Sequence, residues 1–495
     1  MYNDKESFIT FTERDGFDKN QKLKCKLYPY SEEGYSLLEL CCYYGAIDCF
    51  KFLITKFDSE ITEKCLELSF LGRNQEIMSE CLKHQEPDEE CMKYAIISHN
   101  IDFVTFLMNE YNIDIDLYWC GLYNNLESFL VCLNQTDDIT KCFVYSPIFN
   151  IPSFLEYFLS HGENVKQQDE YGKTALHIAA MKNSKENAEI LISHGANINE
   201  KDKYEKTALH IATYNNSKET AEVLILHGAN INENNKNGEI ALHIAAMNNS
   251  KETAELLISH GANINEKDEY GETVLHNAVH YNSKETAELL ILHGANINEN
   301  NKNGEIALHI AAMNNSKETA ELLILHGANI NEKDEYGETV LHNAVHYNSK
   351  ETAEVLILHG ANINEKYQDG KTALRIAAKK NSKEIVEFLI SHGANINEKY
   401  QDGNTALHIA AMKNSKEIVE LLISHGANIN EQDQYGKTAL HIAAMKNSKE
   451  IAELLISHGA NINEQDQYGE TALHIATYYN SKETAELLIS HSTKK

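Results

Sequence analysis

From residue 166 onward, apolar and polar residues return in the same order every 33 positions. Within one copy, apolar side chains recur at spacings of three and four, as Ala188, Leu191 and Ile192 do. Such spacing is typical of amphipathic helices, and it predicts one helix over residues 174–183 and a second over 185–194. A leucine marks the same place in every copy: Leu176, Leu209, Leu242, Leu275, Leu308, Leu341, Leu374, Leu407, Leu440 and Leu473.

The segments that join these helices contain residues that favour turns. Asn183 suits the left-handed backbone that ends the first helix, Ser184 is expected to cap the second, and Gly195 ends it. A unit of two short helices cannot bury both apolar faces alone, so it is stable only when stacked against further copies. The period therefore predicts an array of ten units rather than a single globular core.

Two motifs in each copy resemble those of ankyrin repeats. Asp-x-x-Gly-x-Thr-Ala-Leu-His at 169–177 stands where that family has D-x-x-G-x-T-P-L-H, and Gly-Ala-Asn-Ile-Asn at 195–199 stands where it has G-A-D-x-N. The resemblance implies an all-α ankyrin-repeat solenoid over residues 166–495, with ten helix–turn–helix units separated by hairpin fingers. It also implies that His177 forms a hydrogen bond near the start of its helix and links one repeat to the next. In the second copy, Glu205 occupies a finger-turn position that favours glycine and positive φ.

Helix pairs without fingers are predicted for residues 35–165. Apolar helical segments there end at Ile54, Leu82, Met108, Leu133 and Leu159, so each unit falls short of 33 residues by about one finger. This region resembles a domain of unknown function that precedes ankyrin arrays in many protist proteins, which implies no activity. Residues 1–34 fit neither pattern and are interpreted as an irregular N-terminal segment. No linker is expected near residue 165.

The formal net charge of −30 restricts the choice of partner. A strongly acidic surface repels phosphates, so we expect no nucleic acid and no anionic membrane surface as a partner, and basic proteins are favoured. A solvated outer face with Lys–Glu pairs is the plainer interpretation of the same charge. No stretch approaches membrane-spanning length, so we expect no membrane insertion.

All ten cysteines lie between Cys25 and Cys142, and the 33-residue array has none. The chain starts with polar residues rather than with a cationic segment and a long apolar run. We therefore expect a cytoplasmic protein with reduced thiols. Cysteines within apolar helical segments, such as Cys41 and Cys65, are interpreted as small buried hydrophobic residues.

Histidines in register are the most obvious candidates for chemistry, in one row that starts at His177 and a second at His194. No cysteine or carboxylate completes a zinc-like ligand set beside them, and Arg375 interrupts the first row, so we expect structural roles and no metal. Cys81 lies three residues from His84, but the loop-like segment that follows does not favour an activated thiol. Because phosphate-binding, nucleophilic-serine and zinc-protease motifs are missing, we expect neither catalysis nor a cofactor.

The resemblance also indicates a recognition surface, because ankyrin proteins bind partners on a concave face formed by fingers and by exposed ends of first helices. Tyrosine there makes a large, rigid contact. We expect partners to contact Tyr214, His280, Tyr281, His346, Tyr347, Tyr478 and Tyr479, together with Tyr270 and Tyr336 in the fingers. The other tyrosines assigned to finger tips are Tyr171, Tyr204, Tyr367, Tyr400, Tyr435 and Tyr468. For all finger tyrosines, packing between repeats is an equal alternative.

Residues 234–299 and 300–365 are identical except for Ser259 against Leu325 and Leu289 against Val355. A surface tuned to one irregular partner would differ between such copies, so a repetitive partner or spacing alone is favoured. The sequence predicts a non-catalytic protein-binding scaffold, with an elongated structural spacer or cytoskeletal linker as the alternative and an enzyme in the first 165 residues as a third hypothesis. The last copy keeps the apolar residues of an internal one, so we expect it to fray or to self-associate.

Overall fold

The computed structural model describes residues 3–14, 16–19, 21–24, 33–135 and 139–492. The chain divides into two compact units, residues 1–230 and 231–495. Within the described ranges there is no β-strand, and only isolated backbone bridges such as Gln168 with Thr174 pair extended segments. The predicted all-α fold is confirmed. Cys25 and Lys26 of the N-terminal segment lie outside the described residues.

Unit 1 contains a first helix and seven helix pairs. The helices are α1 (Lys5–Thr12), α2 (Leu37–Tyr44), α3 (Ile47–Phe57), α4 (Glu63–Gly72), α5 (Gln75–Cys81), α6 (Glu89–Ile97), α7 (Ile101–Tyr111), α8 (Leu117–Leu122), α9 (Leu126–Gln135), α10 (Ile139–Tyr145), α11 (Pro152–Ser160), α12 (Ala175–Met181), α13 (Lys185–Ser193), α14 (Ala208–Tyr214) and α15 (Lys218–Leu226), with a 3₁₀ turn at Ser146–Phe149. Short loops at 58–62, 82–88 and 112–116 join the early pairs, whereas the longer segment 194–207 joins α13 to α14.

Unit 2 consists of eight helix pairs. They are α16 (Ala241–Met247), α17 (Lys251–Ser259), α18 (Val274–His280), α19 (Lys284–Leu292), α20 (Ala307–Met313), α21 (Lys317–Leu325), α22 (Val340–His346), α23 (Lys350–Leu358), α24 (Ala373–Lys380), α25 (Lys383–Ser391), α26 (Ala406–Met412), α27 (Lys416–Ser424), α28 (Ala439–Met445), α29 (Lys449–Ser457), α30 (Ala472–Tyr478) and α31 (Lys482–Ser492). Each first helix packs against the first helix of the next pair, as α16 does against α18.

Small residues on the first helices allow this close stacking. Ala179 and Ala180 of α12 are fully buried, as are Leu176 and Leu191, so the core of a repeat lies between helices and between neighbours. Each buried leucine contributes about 1.5–3 kcal/mol relative to exposure. Helices α10 and α11 pack against α12 and α13 in the same compact unit. The boundary that we predicted at residue 165 therefore lies inside unit 1.

Two of the three predictions for the helix ends of a repeat are confirmed. Asn183 has φ of 54° and Gly195 has φ of 85°, so both adopt the left-handed backbone as predicted. The capping prediction for Ser184 is wrong: its hydroxyl makes no hydrogen bond to its own helix and donates to the carbonyl of Pro147 at 3.1 Å. Since Ser184 is fully buried, its hydroxyl bonds to the preceding unit in the stack instead.

Five histidines of the first row tie a repeat to the next one. Nδ1 of His177 accepts from the backbone N–H of Thr174 at 3.0 Å, and Nε2 donates to the carbonyl of Lys206 in the following repeat at 3.1 Å. With Nδ1 as an acceptor, the proton is on Nε2 and the imidazole is neutral. The same inter-repeat bond is made in unit 2 by His276, His342, His408 and His441. The structural role predicted for this row is confirmed at these five positions, whereas Nε2 of His243 and Nε2 of His309 are buried without a hydrogen-bond partner among the described residues.

Arg375 replaces the histidine in one repeat and makes the connection by an ion pair. Its guanidinium donates to both carboxylate oxygens of Asp402, at 2.9 and 3.3 Å, and lies 4.2 Å from the centre of the Tyr400 ring. Burial opposes the charge of Asp402, but the hydrogen bond from Arg375 keeps the pKa of that carboxyl below its usual value. Arginine suits this position because it binds a carboxylate bidentately and stacks on an aromatic ring.

Asparagines of the Gly-Ala-Asn-Ile-Asn segment form a second link. Oδ1 of Asn232 accepts from the backbone N–H of Asn263 at 2.8 Å, and its Nδ2 donates to the carbonyl of Gly261 at 3.2 Å. An amide side chain is suited to this role because it both accepts and donates. The Oδ1 bond recurs through unit 2 at Asn265–Asn296, Asn298–Asn329, Asn331–Asn362, Asn364–Asn395, Asn397–Asn428 and Asn430–Asn461.

Replacing Glu205 with glycine should stabilise the protein. Glu205 has φ of 58°, as the sequence predicted, and a side chain at positive φ costs about 1 kcal/mol or more. Its ion pair with Lys201, at 3.6 Å, is exposed and contributes little. We expect Glu205→Gly to raise the midpoint of chemical unfolding, although the greater freedom of glycine in the unfolded chain offsets part of the gain.

Gly337→Glu is the matched control, because Gly337 occupies the equivalent turn at φ of 77° and an added Cβ meets no atom within 4 Å. That variant measures the backbone cost without a clash, and it should destabilise the protein by about 1 kcal/mol. A lowered unfolding midpoint for Glu205→Gly would show that the glutamate makes a favourable contact that outweighs its backbone conformation.

Acidification from pH 7 to pH 5 should destabilise the folded chain. Burial lowers the pKa of the imidazoles at His177, His243, His276, His309, His342, His408 and His441, to about 4 for His342. Between about pH 6.5 and pH 4 the unfolded chain therefore binds more protons than the folded chain. The stability that comes from keeping these imidazoles neutral is complete above their ordinary pKa of about 6.5 and is lost as the pH falls towards about 4. Each histidine contributes at most about 1.4 kcal/mol per pH unit.

Three carboxyls act in the opposite direction, because burial raises the pKa of Glu67, Glu272 and Glu338. They are fewer than the histidines, so the free energy of unfolding should be lower at pH 5 than at pH 7. Chemical unfolding curves at the two pH values measure this difference. The variant His408→Gln removes one titrating group and should show a smaller dependence on pH. Equal unfolding free energies at pH 7 and pH 5 would contradict this account.

Candidate partner-binding surface

Every residue predicted to contact a partner lies on the protein surface. Unit 1 contributes Tyr214, and unit 2 contributes the rest. The side chains of Tyr214, Tyr270, His280, Tyr281, Tyr336, His346, Tyr347, Tyr478 and Tyr479 are all exposed. Tyr478 is the most exposed of them, at 80%. These side chains are therefore available for contact, whereas the leucines and alanines of α14, α18 and α22 are buried.

Helix ends position the histidine–tyrosine pairs. His280 is the last residue of α18, and the backbone N–H of Tyr281 bonds to the carbonyl of Asn277 at 3.1 Å, which fixes the tyrosine just beyond the helix. The rings of His280 and Tyr281 lie 5.2 Å apart. His346 and Tyr347 repeat this arrangement at the end of α22, with ring centres 5.3 Å apart. The structure thus contains two equal pairs.

A partly buried carboxyl group interacts electrostatically with the histidine of each pair. Burial is the main cause that raises the pKa of Glu272, Asp268 raises it further, and His280 acts in the opposite direction. Burial likewise raises the pKa of Glu338, while His346 favours its charged form. Each pair therefore combines a polar aromatic ring, an imidazole and a partly buried acid, a set able to bond to both donors and acceptors on a protein surface.

Finger tyrosines divide into two groups. Tyr270 and Tyr336 are exposed, and each backbone N–H is held by the Oδ1 atom of Asp268 or Asp334 at 2.9 Å. Tyr171, Tyr204, Tyr435 and Tyr468 are exposed as well. For Tyr367 and Tyr400 the finger-tip assignment is wrong, because both stand in place of the finger aspartate. Tyr400 is only 5% exposed and packs beneath Arg375 of the preceding repeat, so the alternative of packing between repeats is confirmed for it.

Tyr478 and Tyr479 lie side by side at the end of α30, with ring centres 5.1 Å apart. Tyr214 is separate from these residues and lines a cavity of about 250 Å³ in unit 1, together with Met181, Ile211 and the finger residue Tyr204. This cavity brings together a finger and two helix ends.

A larger cavity of about 600 Å³ adjoins it and was not identified from the sequence. Tyr118 and Trp119 of α8 line this cavity, together with residues of α6 and α10 and of the first finger. One signal was present: Trp119 is the only tryptophan of the chain, and acidic Asp114 and Asp116 precede it closely. Its neighbours across the cavity, by contrast, come from distant parts of the sequence.

Metal binding and thiol chemistry are the other uses that the histidines and cysteines could have. No group of three or more metal-binding side chains occurs in the part of the chain that the structure describes. Cys81 is buried, and burial raises the pKa of the Cys41 and Cys91 thiols far above the usual range, so these thiols are unreactive small hydrophobic residues. Among the nine described cysteines, only Cys132 is partly exposed.

Two family models match the chain. A domain of unknown function (DUF3447) matches residues 57–132, and the model of ankyrin repeats (3 copies) matches residues 146–235, 217–301, 281–367, 355–433 and 425–495. Both resemblances inferred from the sequence are confirmed. A comparison with curated proteins finds no match. In the described ranges, no helix combines the length and apolar character needed to span a membrane.

Proposed function

We propose that this chain, which belongs to the ankyrin-repeat family, is a non-catalytic scaffold that binds protein partners. Ankyrin repeats are in general protein-interaction modules. The observation that carries the proposal is the pair of equal surface sites formed by His280 with Tyr281 and by His346 with Tyr347. Buried residues of the repeats are needed for stacking, whereas these exposed aromatic residues stabilise no core.

Two equal sites favour a partner with two equal ends or a repeated segment. The second contact is then intramolecular, and avidity exceeds the affinity of one site by about 10²–10⁴. The net charge of −30 supports basic protein partners over nucleic acid or an anionic membrane. The buried cysteines fit a reducing cytoplasm, which we propose as the location.

We also propose a division of the chain. Residues 1–34 are an irregular segment, 35–165 are fingerless helix pairs and 166–495 are the ten-repeat array. The alternative function is an elongated spacer or cytoskeletal linker, and one observation favours it: residues 234–299 and 300–365 are almost identical, as regular spacing alone requires. A spacer should retain no partner through its exposed tyrosines, whereas a scaffold should.

Substituting alanine for His280, Tyr281, His346 and Tyr347 should abolish capture of partners by the immobilised full-length chain. All four side chains are exposed, so helicity measured by circular dichroism should not change. Captured proteins are identified by mass spectrometry. Partners that survive the fourfold substitution would place the binding site on the fingers or on the fingerless pairs.

The chain offers two matched controls. Lys379 and Lys380 lie at the same helix end in another repeat. Replacing both with alanine tests whether capture depends on the histidine–tyrosine pairs or on any pair of large side chains at this helix end. Each histidine–tyrosine pair can also be removed singly. If the two sites act together, both double variants should weaken binding equally, by about 10²-fold or more, because avidity is lost. Unequal losses would argue against a repetitive partner.

A further inference from the structure

Two neighbouring cavities in unit 1, of about 600 and 250 Å³, share Tyr118 and Lys173 in their walls. We call the two cavities together the junction cleft. It lies where the fingerless pairs meet the first two finger-bearing repeats, between α6, α8, α10, α12 and α14. A volume of this size is in the range of ligand-binding pockets. No stacking contact described above requires it.

The missing fingers explain why the cleft is open. Residues 112–116, which join α7 to α8, form a short loop where a later repeat has a full finger. The first finger, in contrast, is held beside α10: the Tyr145 hydroxyl donates to Asp169 at 2.8 Å, and Gln167 donates to Thr140 at 3.1 Å. The first finger therefore forms one wall of a space, and the preceding fingerless pair has no finger to fill it.

The larger cavity has the chemistry of a cation site. Five carboxylates face three lysines in its lining. Lys93 is already neutralised by Glu90 at 3.1 Å, whereas Glu89, Asp114 and Glu170 form no ion pair within the described residues. Lys93 itself lies 4.5 Å from the centre of the Trp119 ring, which shows how this wall accommodates a cation.

The smaller cavity is apolar by comparison. Ile178, Met181 and Ile211 line it with the rings of Tyr204 and Tyr214. Such walls suit an aliphatic or aromatic side chain. A ligand that occupies both cavities thus carries a positive charge next to an apolar group.

We propose that the junction cleft binds a short peptide segment of a partner protein, with a lysine or arginine side chain in the larger cavity and an apolar side chain in the smaller one. The proposal goes beyond the scaffold function, because it assigns a second site, in unit 1, and a ligand class to it. Because the two cavities share Tyr118 and Lys173 in their walls, neighbouring side chains of one extended segment suit them.

Trp119 provides a direct test, because it is the only tryptophan and lines the larger cavity. End-capped tripeptides with arginine beside leucine, in both orders, should change the fluorescence of the full-length chain saturably. Peptides with citrulline in place of arginine keep the shape and lose the charge, so they should bind at least about tenfold more weakly. Equal binding of the citrulline peptides, or no fluorescence change with any arginine peptide, would overturn the proposal.

Two variants locate the site. Asp114→Asn with Glu170→Gln removes two exposed carboxylates that make no ion pair, so folding should be unaffected while arginine-peptide affinity falls about tenfold or more. Glu288→Gln with Glu354→Gln, on exposed or half-exposed faces of α19 and α23, makes the same change in net charge and should leave the affinity unchanged. Equal losses in both variants would mean that only the overall charge matters, which contradicts a specific cleft.

Met181→Lys tests the apolar cavity. Lys379 occupies the equivalent helix position in another repeat, so the stack tolerates lysine there. This variant should weaken binding of the arginine–leucine peptides, and unchanged affinity would show that the smaller cavity is not used. The His280, Tyr281, His346 and Tyr347 alanine variant should retain the fluorescence response. Its loss of partner capture therefore tests the scaffold site separately from the cleft.

Discussion

Each repeat depends on its neighbour to satisfy polar groups that it cannot satisfy alone. The Nε2 proton of His177 is bonded by the carbonyl of Lys206 in the next repeat, and Oδ1 of Asn183 accepts from the backbone N–H of Thr220. In unit 2 the asparagine bonds do the same between fingers. Since a buried polar group without a partner costs about 1–3 kcal/mol, a repeat out of register would lose this stabilisation as well as apolar contact. The 33-residue period is a consequence of that constraint.

The same constraint separates the residues that can vary from those that cannot. Positions that face a neighbour, such as Leu176 and Ala179, are buried, whereas the helix ends occupied by His280 and Tyr281 are exposed. Arg375 shows that even a linking position can change when the next repeat changes with it, because Asp402 and Tyr400 supply new partners for its charge. The exposed residues proposed to bind partners therefore lie on a framework that is stabilised by other residues.

The fold could be predicted from sequence because its causes are local and repeated. Apolar spacing, Asn183 and Gly195 define the helices and their ends, and Glu205 adopts the positive φ that its position requires. The errors concern side chains whose partners are far away in sequence. The Ser184 hydroxyl bonds to Pro147, and Tyr400 packs beneath Arg375 instead of lying at a finger tip. The junction cleft could not be predicted for the same reason, since its walls come from five separate segments.

Repetition and irregularity offer different kinds of recognition. In the proposed scaffold, the equal sites at His280 and His346 gain strength from number, since two weak contacts act as one strong contact when the partner spans both. They gain little selectivity, because a copied surface presents the same chemistry twice. The cleft beside Trp119 is built from residues that occur once, and its charge and shape can therefore select one sequence. With both proposed sites, the chain combines selective recognition of a segment with avid binding of a repeated surface.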